Sequence, residues 1–234
     1  MDSVISRLEA DVEQKRAQFR KGFDVFAARH ELTDWEGWYS PYGQEVYDAV
    51  LHNIENDDMV LDIGAGDLRL ALRMAQRARK VYAVEVNPLV LGPALEAIGF
   101  VLPRNLMAIC ANTLDYPFPD DITVAVLLMR HCQHFRQYVE RLRQLGCRRL
   151  ITNARFKSRV EVINLAERGA DFSQVHGGWY ACLCGEVGFV PCPSTCAEEC
   201  PDDLCLTQVE SCPACADADC GPLGADETRE EALP

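Results

Sequence analysis

The chain has 234 residues, 48% of them hydrophobic, and a formal charge of −13. That length allows about one and a half domains, with enough apolar content for a sizeable core. No apolar stretch approaches the roughly 18–20 residues that span a bilayer, and the first twenty residues lack the apolar core of a secretion signal. Secreted, membrane-spanning, collagenous and wholly disordered classes are set aside, and the expectation is a cytoplasmic protein with no membrane partner.

Residues 1–30 carry apolar side chains at helical spacing (Val4, Leu8, Val12, Phe19, Phe23) and read as a helix. An aromatic loop follows, Trp35-Glu-Gly-Trp38-Tyr39-Ser-Pro-Tyr42-Gly, broken by Gly and Pro. It suits either a lid over a ligand or plain packing. Glu45–Ile54 reads as a short amphipathic helix. From Met59 the pattern changes. Met59–Ile63 is a short apolar run suited to a strand buried on both faces. Gly64-Ala65-Gly66 is a turn, and Leu68–Arg79 reads as a helix with Arg69, Arg73 and Arg77 on its solvated side.

Val81–Val86 is a second strand. Pro88 opens a helix at its first turn and Gly99 ends it. Asn105–Cys110, Ile122–Met129 and Arg149–Asn153 are further strands, with a helix over Gln133–Leu145. Ser158–Arg168 reads as another helix. Strand–helix alternation through five strands calls for a parallel sheet covered on both faces. Phe172–Val175 and Trp179–Val190 read as two more strands forming an antiparallel edge hairpin of the same sheet. The expectation is thus an α/β fold with a seven-stranded, mostly parallel sheet. Beyond Cys192 periodicity stops, and the last 14 residues have a disordered composition.

The charge is unevenly spread. From Ala181 onward there are twelve acids and one base, −11, while the first 180 residues sum to −2. Leu128–Val160 holds nine Arg/Lys and one acid, or +8. The acidic balance disfavours nucleic acid as a partner, and the basic stretch keeps an anionic substrate open. The tail folding back onto that stretch is a further expectation.

Ligands of open α/β sheets bind beyond the carboxyl ends of the strands, where strand order reverses. Gly64 and Gly66 mark that point. A dinucleotide fingerprint would need a third glycine at Arg69, and a phosphate loop would need Lys-Ser/Thr; neither is present. Instead Asp62 lies two residues before the first glycine, which suits a positively charged ligand. Glu85 ends the second strand, where an acid can accept from both hydroxyls of a ribose. A ribose without phosphates and a cationic amino-acid end describe S-adenosyl-L-methionine.

At these residues the chain resembles the class I, Rossmann-like S-adenosylmethionine-dependent methyltransferases. Val60-Leu-Asp62-Ile-Gly64-Ala-Gly66 looks like their glycine-rich first motif and Val81-Tyr-Ala-Val-Glu85-Val86-Asn87-Pro88 like their acidic second. Cys110-Ala-Asn112-Thr113 falls where members touch the adenine, and Val126–Met129 at their fourth strand. The resemblance covers roughly residues 40–190. It implies a cofactor site of Asp62, Gly64, Ala65, Gly66, Glu85, Val86, Asn112, Thr113 and Met129. This chain departs from the family in lacking the third glycine and in having Asn112 where Asp is common.

The Asn/Asp-Pro-Pro-aromatic pattern of exocyclic-amine base methyltransferases has no counterpart at Met129-Arg130-His131-Cys132. His131 and His134 fall near the expected active-site mouth as candidate bases, with helix-cap or surface roles as the plainer reading. The methyl acceptor is unassigned, in the order small molecule, protein, RNA.

Twelve cysteines divide into three in the body and nine between Cys182 and Cys220. Without a secretion signal, metal binding is the better reading than disulfides. Cys212/Cys215 has zinc-ligand spacing, and Cys182/Cys184 fits a tight knuckle beside Gly185. These four are the candidate metal ligands, and zinc the candidate metal. The organisation expected is 1–54 helical segment and aromatic loop, 55–191 cofactor-binding domain, and 192–234 an acidic, Cys-rich, irregular tail. A contrasting reading is a non-catalytic scaffold acting as a metal-binding or protein-interaction adaptor through that tail.

Overall fold

The computed structural model describes residues 41–130, 132–155, 159–191 and 206–217. The helix expected over residues 1–30, the loop from Trp35 to Ser40, His131 and the last 14 residues lie outside these. The chain divides into two compact units, 1–168 and 169–234.

The first unit starts with α1 (Gln44–His52). Then come β1 (Met59–Ile63), α2 (Arg69–Met74), β2 (Lys80–Glu85), α3 (Pro88–Ala97), β3 (Leu106–Cys110) and β4 (Val124–Leu127). It closes with α4 (Phe135–Gln144), β5 (Arg149–Thr152) and β6 (Glu161–Asn164). The six strands form one sheet in the order β3-β2-β1-β4-β5-β6. The first five are parallel, and β6 runs antiparallel to β5. This is the doubly wound, Rossmann-like order. The chain travels outward from β1 to β3, then returns to the other side of β1, so the reversal lies between β1 and β4.

Right-handed crossovers put α2 and α3 on one face and α4 on the other. Side chains alternate to match. Val60, Val81, Val124, Val126 and Ile151 share a core with Val50 and Leu51 of α1, Leu72 of α2 and Leu91 of α3. The alternate residues Leu61, Ile63, Val84 and Leu127 are buried too, as are Phe135, Tyr138 and Leu142 of α4. Burial on both faces is why β1, β2 and β4 read as unbroken apolar runs. At the amino ends of the central strands, Asp58 accepts from Arg149 (2.8 Å), the Thr123 hydroxyl (2.9 Å) and Glu55 N–H (2.8 Å).

The second unit holds a 3-10 turn (Phe172–Gln174), β7 (Gly178–Cys182), β8 (Val187–Val190), β9 (Leu206–Val209) and α5 (Pro213–Asp217). Its three strands form a separate sheet, β8-β7-β9, antiparallel on one side of β7 and parallel on the other.

Several expectations are corrected here. Among the described residues the sheet has six strands, not seven. The segment read as a helix over 158–168 contains β6 instead, where Ile163 and Leu165 are buried between exposed Val162 and Asn164, a period of two. The first strand of the expected hairpin is the 3-10 turn. The second is itself a hairpin, β7–β8, turning at Gly185 (φ +102), and it belongs to the second unit. The tail is not wholly irregular, because β9 and α5 lie within it. Gly169 and Ala170 pair with the end of β9: Ala170 N–H donates to Gln208 O (2.9 Å) and Glu210 N–H to Ala170 O (3.1 Å). A Cβ on Gly169 would sit 2.6 Å from Glu210 N, so only glycine allows that approach.

Candidate functional site

In the first unit the site is built at the carboxyl tips of β1 and β2. After Ile63 the chain turns through Gly64 (φ +74) and Gly66 (φ +58), left-handed positions that suit residues without a Cβ. The N–H groups of Gly64 and Ala65 both donate to Val84 O, at 2.9 and 3.0 Å, which folds the turn back across the tip of β2. Glu85 then closes it. Its Oε2 accepts from Gly66 N–H and its Oε1 from Asn87 N–H, both at 2.8 Å. Asn87 in turn caps α3, its Oδ1 accepting from Leu89 N–H at 2.9 Å. Val86, half-buried, lies between these two anchors.

Both acids are withdrawn from solvent, Asp62 at 3% and Glu85 at 8% exposure. Burial pushes the Asp62 carboxyl up to about 7, with the Glu85 charge adding to the rise. Burial raises Glu85 as well, and the Asn87 and Gly66 donors pull it back. One Asp62 oxygen, Oδ2, is buried with no hydrogen-bond partner. A buried polar oxygen without a donor is costly, and a cationic ligand group is the partner this one would suit.

Met129 stands over the turn, since a Cβ on Gly64 would lie 3.3 Å from its Cε. Past β3, Ala111 N–H donates to Glu85 O (3.1 Å), which brings the next residues beside the tip of β2. Asn112 is exposed, its amide engaged with Leu114 N–H (3.0 Å) and Asp115 (3.0 Å). Thr113 is buried, its hydroxyl 2.9 Å from that of Tyr138 on α4. Asp62, Gly64, Ala65, Gly66, Glu85, Val86 and Met129 are therefore gathered around one turn, whereas the exposed Asn112 side chain is engaged with its own loop and the Thr113 side chain is buried against Tyr138. His134 occupies the N-cap position of α4 and is half-buried. His131 lies outside the described residues.

Sequence reasoning missed two residues, Asp67 in the turn and Arg141 against the segment after β3. Asp67, 2% exposed, holds the Arg69 guanidinium (Nε 2.7 Å, NH2 2.6 Å), so Arg69 turns inward rather than onto a solvated face. Arg141 of α4 bonds the carbonyls of Thr113, Leu114 (2.8 Å) and Tyr116 (2.6 Å) and lies 3.9 Å over the Phe118 ring. The Asp67-Leu-Arg69 spacing was a readable signal for the first. The second pairs residues 25 to 28 apart in the chain and had none.

The second unit brings Cys182, Cys184, Cys212 and Cys215 together, their sulfurs all within 4.8 Å of one another. Cys182 ends β7, Cys184 lies in the turn to β8, and Cys212 and Cys215 flank the start of α5. Sulfur separations are 3.6 Å for Cys182–Cys215 and 3.8 Å for both Cys184–Cys212 and Cys212–Cys215. Cys184 N–H also points to the Cys182 sulfur at 3.5 Å. The hydrogen bond from Cys182 holds the Cys184 thiol down at about 5, while burial pushes Cys212 up to about 11. None of the four is in a disulfide.

No family model matches the chain. Over 82 residues it is 34% identical to the uncharacterized protein MJ1452 of Methanocaldococcus jannaschii, a stretch covering 34% of this chain and 32% of that protein. The chain thus spans about a third of the length of the curated relative it matches. Among solved structures it is similar to the tRNA (m1A58) methyltransferase TrmI of Aquifex aeolicus (TM-score 0.41, 19% identity, 48% of this chain and 47% of that one). It is also similar to the 23S rRNA methyltransferase ErmE (0.42, 18%, 47% and 46%). A third is an RNA methyltransferase of Salinibacter ruber with bound S-adenosyl-L-homocysteine (0.41, 16%, 48% and 76%). The acceptors of those enzymes belong to those proteins. The doubly wound architecture rests on this chain's own strand order.

Proposed function

We propose that the first unit binds S-adenosyl-L-methionine at the β1–β2 turn and catalyses methyl transfer. The observation that carries this is Asp62, buried at the strand tip with an unpartnered Oδ2, beside a glycine turn and a second buried acid. The donor set fits the cofactor. Ionised Asp62 suits its amino group. Gly64 and Gly66 leave room for close backbone approach. Each Glu85 oxygen already takes one backbone N–H and keeps a further lone pair for a ribose hydroxyl. Residues 111–113 and Met129 stand next to this tip.

The bound cofactor supplies a methyl group already activated on a sulfonium. The chain's part is to align donor and acceptor and to exclude water. For an acceptor that arrives protonated, His134 is the described residue proposed to take the proton. The acceptor class is proposed in the order small molecule, protein, RNA, and label transfer from methyl-labelled cofactor into fractionated cell extract identifies it. Calorimetry with S-adenosyl-L-homocysteine tests the reading. Micromolar binding that is lost in Glu85→Ala supports it, and no binding by the intact chain overturns it in favour of a non-catalytic adaptor.

For the four thiols of the second unit the proposed ligand is a soft-ligand metal, zinc first. Tetrahedral thiolate coordination with arms of about 2.3 Å requires sulfurs about 3.8 Å apart; three of the six separations are 3.6–3.8 Å and all six are within 4.8 Å. Among the described residues no helix is long and apolar enough to cross a membrane; a cytoplasmic location is proposed on the reduced-thiol chemistry of this cluster.

A further inference from the structure

Among the described residues, the four thiols are also nearly half of the second unit's core. Val175, Cys182, Val209 and Cys212 form its buried cluster, with Phe172, Tyr180, Cys184, Val190 and Cys215 packed against it. Four of these nine side chains are the candidate ligands. Small units with so little apolar volume need a staple.

The ligands sit where a staple acts most. Cys182 and Cys184 belong to the β7–β8 hairpin, and Cys212 and Cys215 to the segment after β9. The chain between the two pairs, 185–211, must return so that β9 lies parallel to β7, with Val209 opposite Cys182. A parallel return has no tight turn to guide it, and closing so long a loop costs chain entropy before any contact is made. Four sulfurs held within 4.8 Å of one another cannot all be ionised without a cation between them, so metal binding must displace their protons. A tetrahedral dication takes the place of those protons and joins the two segments at once. Four protein ligands leave no open coordination position, which marks a structural rather than a catalytic centre.

We infer that the metal is the core of the second unit, so that its three-stranded sheet forms only with the ion bound while the first unit folds without it. The inference rests on the metal reading of Cys182, Cys184, Cys212 and Cys215. Binding then releases the thiol protons and couples directly to folding.

The test uses the full chain, kept reduced, loaded with zinc and then stripped with a chelator. Native mass spectrometry counts the ion, and hydrogen exchange is read separately on peptides covering 178–190, 206–217, 59–63 and 80–85. The expected result is one zinc per chain and, on its removal, at least a roughly hundredfold loss of amide protection in the first two peptides. The last two should stay within about twofold. Cys212→Ser should show the same loss with zinc present, and Co2+ in the intact chain should give the strong visible absorption of a tetrahedral thiolate site.

If zinc binds but the second sheet stays protected without it, the folding inference is overturned and the metal reading stands. If the reduced chain takes up neither zinc nor Co2+, both fall. Loss of protection in both units together would also overturn the inference, because the first unit would then depend on the metal.

Discussion

The Glu85 carboxylate accepts the Gly66 N–H at 2.8 Å across 19 residues of sequence, so the acid that ends β2 also holds the glycine turn after β1. Its other oxygen holds Asn87 N–H at the start of α3. Glu85→Ala leaves two backbone donors near the tip unpaired, each costing about 1–3 kcal/mol. The expected outcome is a lower melting temperature together with at least about a tenfold loss of S-adenosyl-L-homocysteine affinity. Unchanged affinity in a folded variant would remove Glu85 from the site.

Asp62 makes the proposed binding pH-dependent. Its carboxyl is neutral below about 7 in the free protein, whereas a cationic ligand pairs with the ionised form. Affinity should therefore fall by up to about tenfold per pH unit as pH drops below 7. Stability runs the other way. The folded pKa is raised above the ordinary carboxylate value, so this group's contribution is fully present below about 4 and is lost as pH rises through about 7. Asp62→Asn should flatten both profiles, raise stability at pH 8 and weaken binding there. Calorimetry and thermal melts at pH 5, 6, 7 and 8 check both signs. A flat wild-type binding profile would contradict the pairing.

Arg141 ties α4 to the segment after β3 through three carbonyls and the Phe118 ring. Lysine cannot span that fork. Arg141→Lys should raise hydrogen exchange over 111–118, leave β1 protected, and weaken S-adenosyl-L-homocysteine binding several-fold. It should also blur discrimination between the adenine ligand and its hypoxanthine analogue. Equal losses for both ligands would reduce Arg141 to a purely structural brace.

Asp58 provides the contrast at the opposite end of the sheet. It is fully buried and pairs with Arg149, the Thr123 hydroxyl and Glu55 N–H. Asp58→Ala leaves the Thr123 hydroxyl and Glu55 N–H without this acceptor, while Arg149 keeps Glu55 Oε1 (2.9 Å), so a loss of about 1–3 kcal/mol is expected. Ligand affinity at 10 °C, where the variant remains folded, should be unchanged. A drop in affinity without a drop in stability would refute this assignment.

The first unit was legible where its signals are local. Met59–Ile63 and Val81–Val86 read as buried strands because the sheet covers them on both faces. Gly64 and Gly66 read as a turn because left-handed backbone favours glycine. Residues 158–168 misled because Val160, Ile163 and Glu167 also fit a helical spacing. Pairing with β5 decides for a strand there, and pairing is not a local property.

By itself the sequence determined the alternating order of elements through β5, the glycine turn between two acids and the four cysteines worth grouping, since each depends on residue type within a few neighbours. Only the tertiary structure decided that β7 and β8 leave the main sheet to pair with β9, that Glu85 clamps Gly66, that Asp62 carries an unmatched buried oxygen, and that Cys182 meets Cys215. Those depend on which distant segments share space, and desolvation and strand pairing act only once the chain has brought them there.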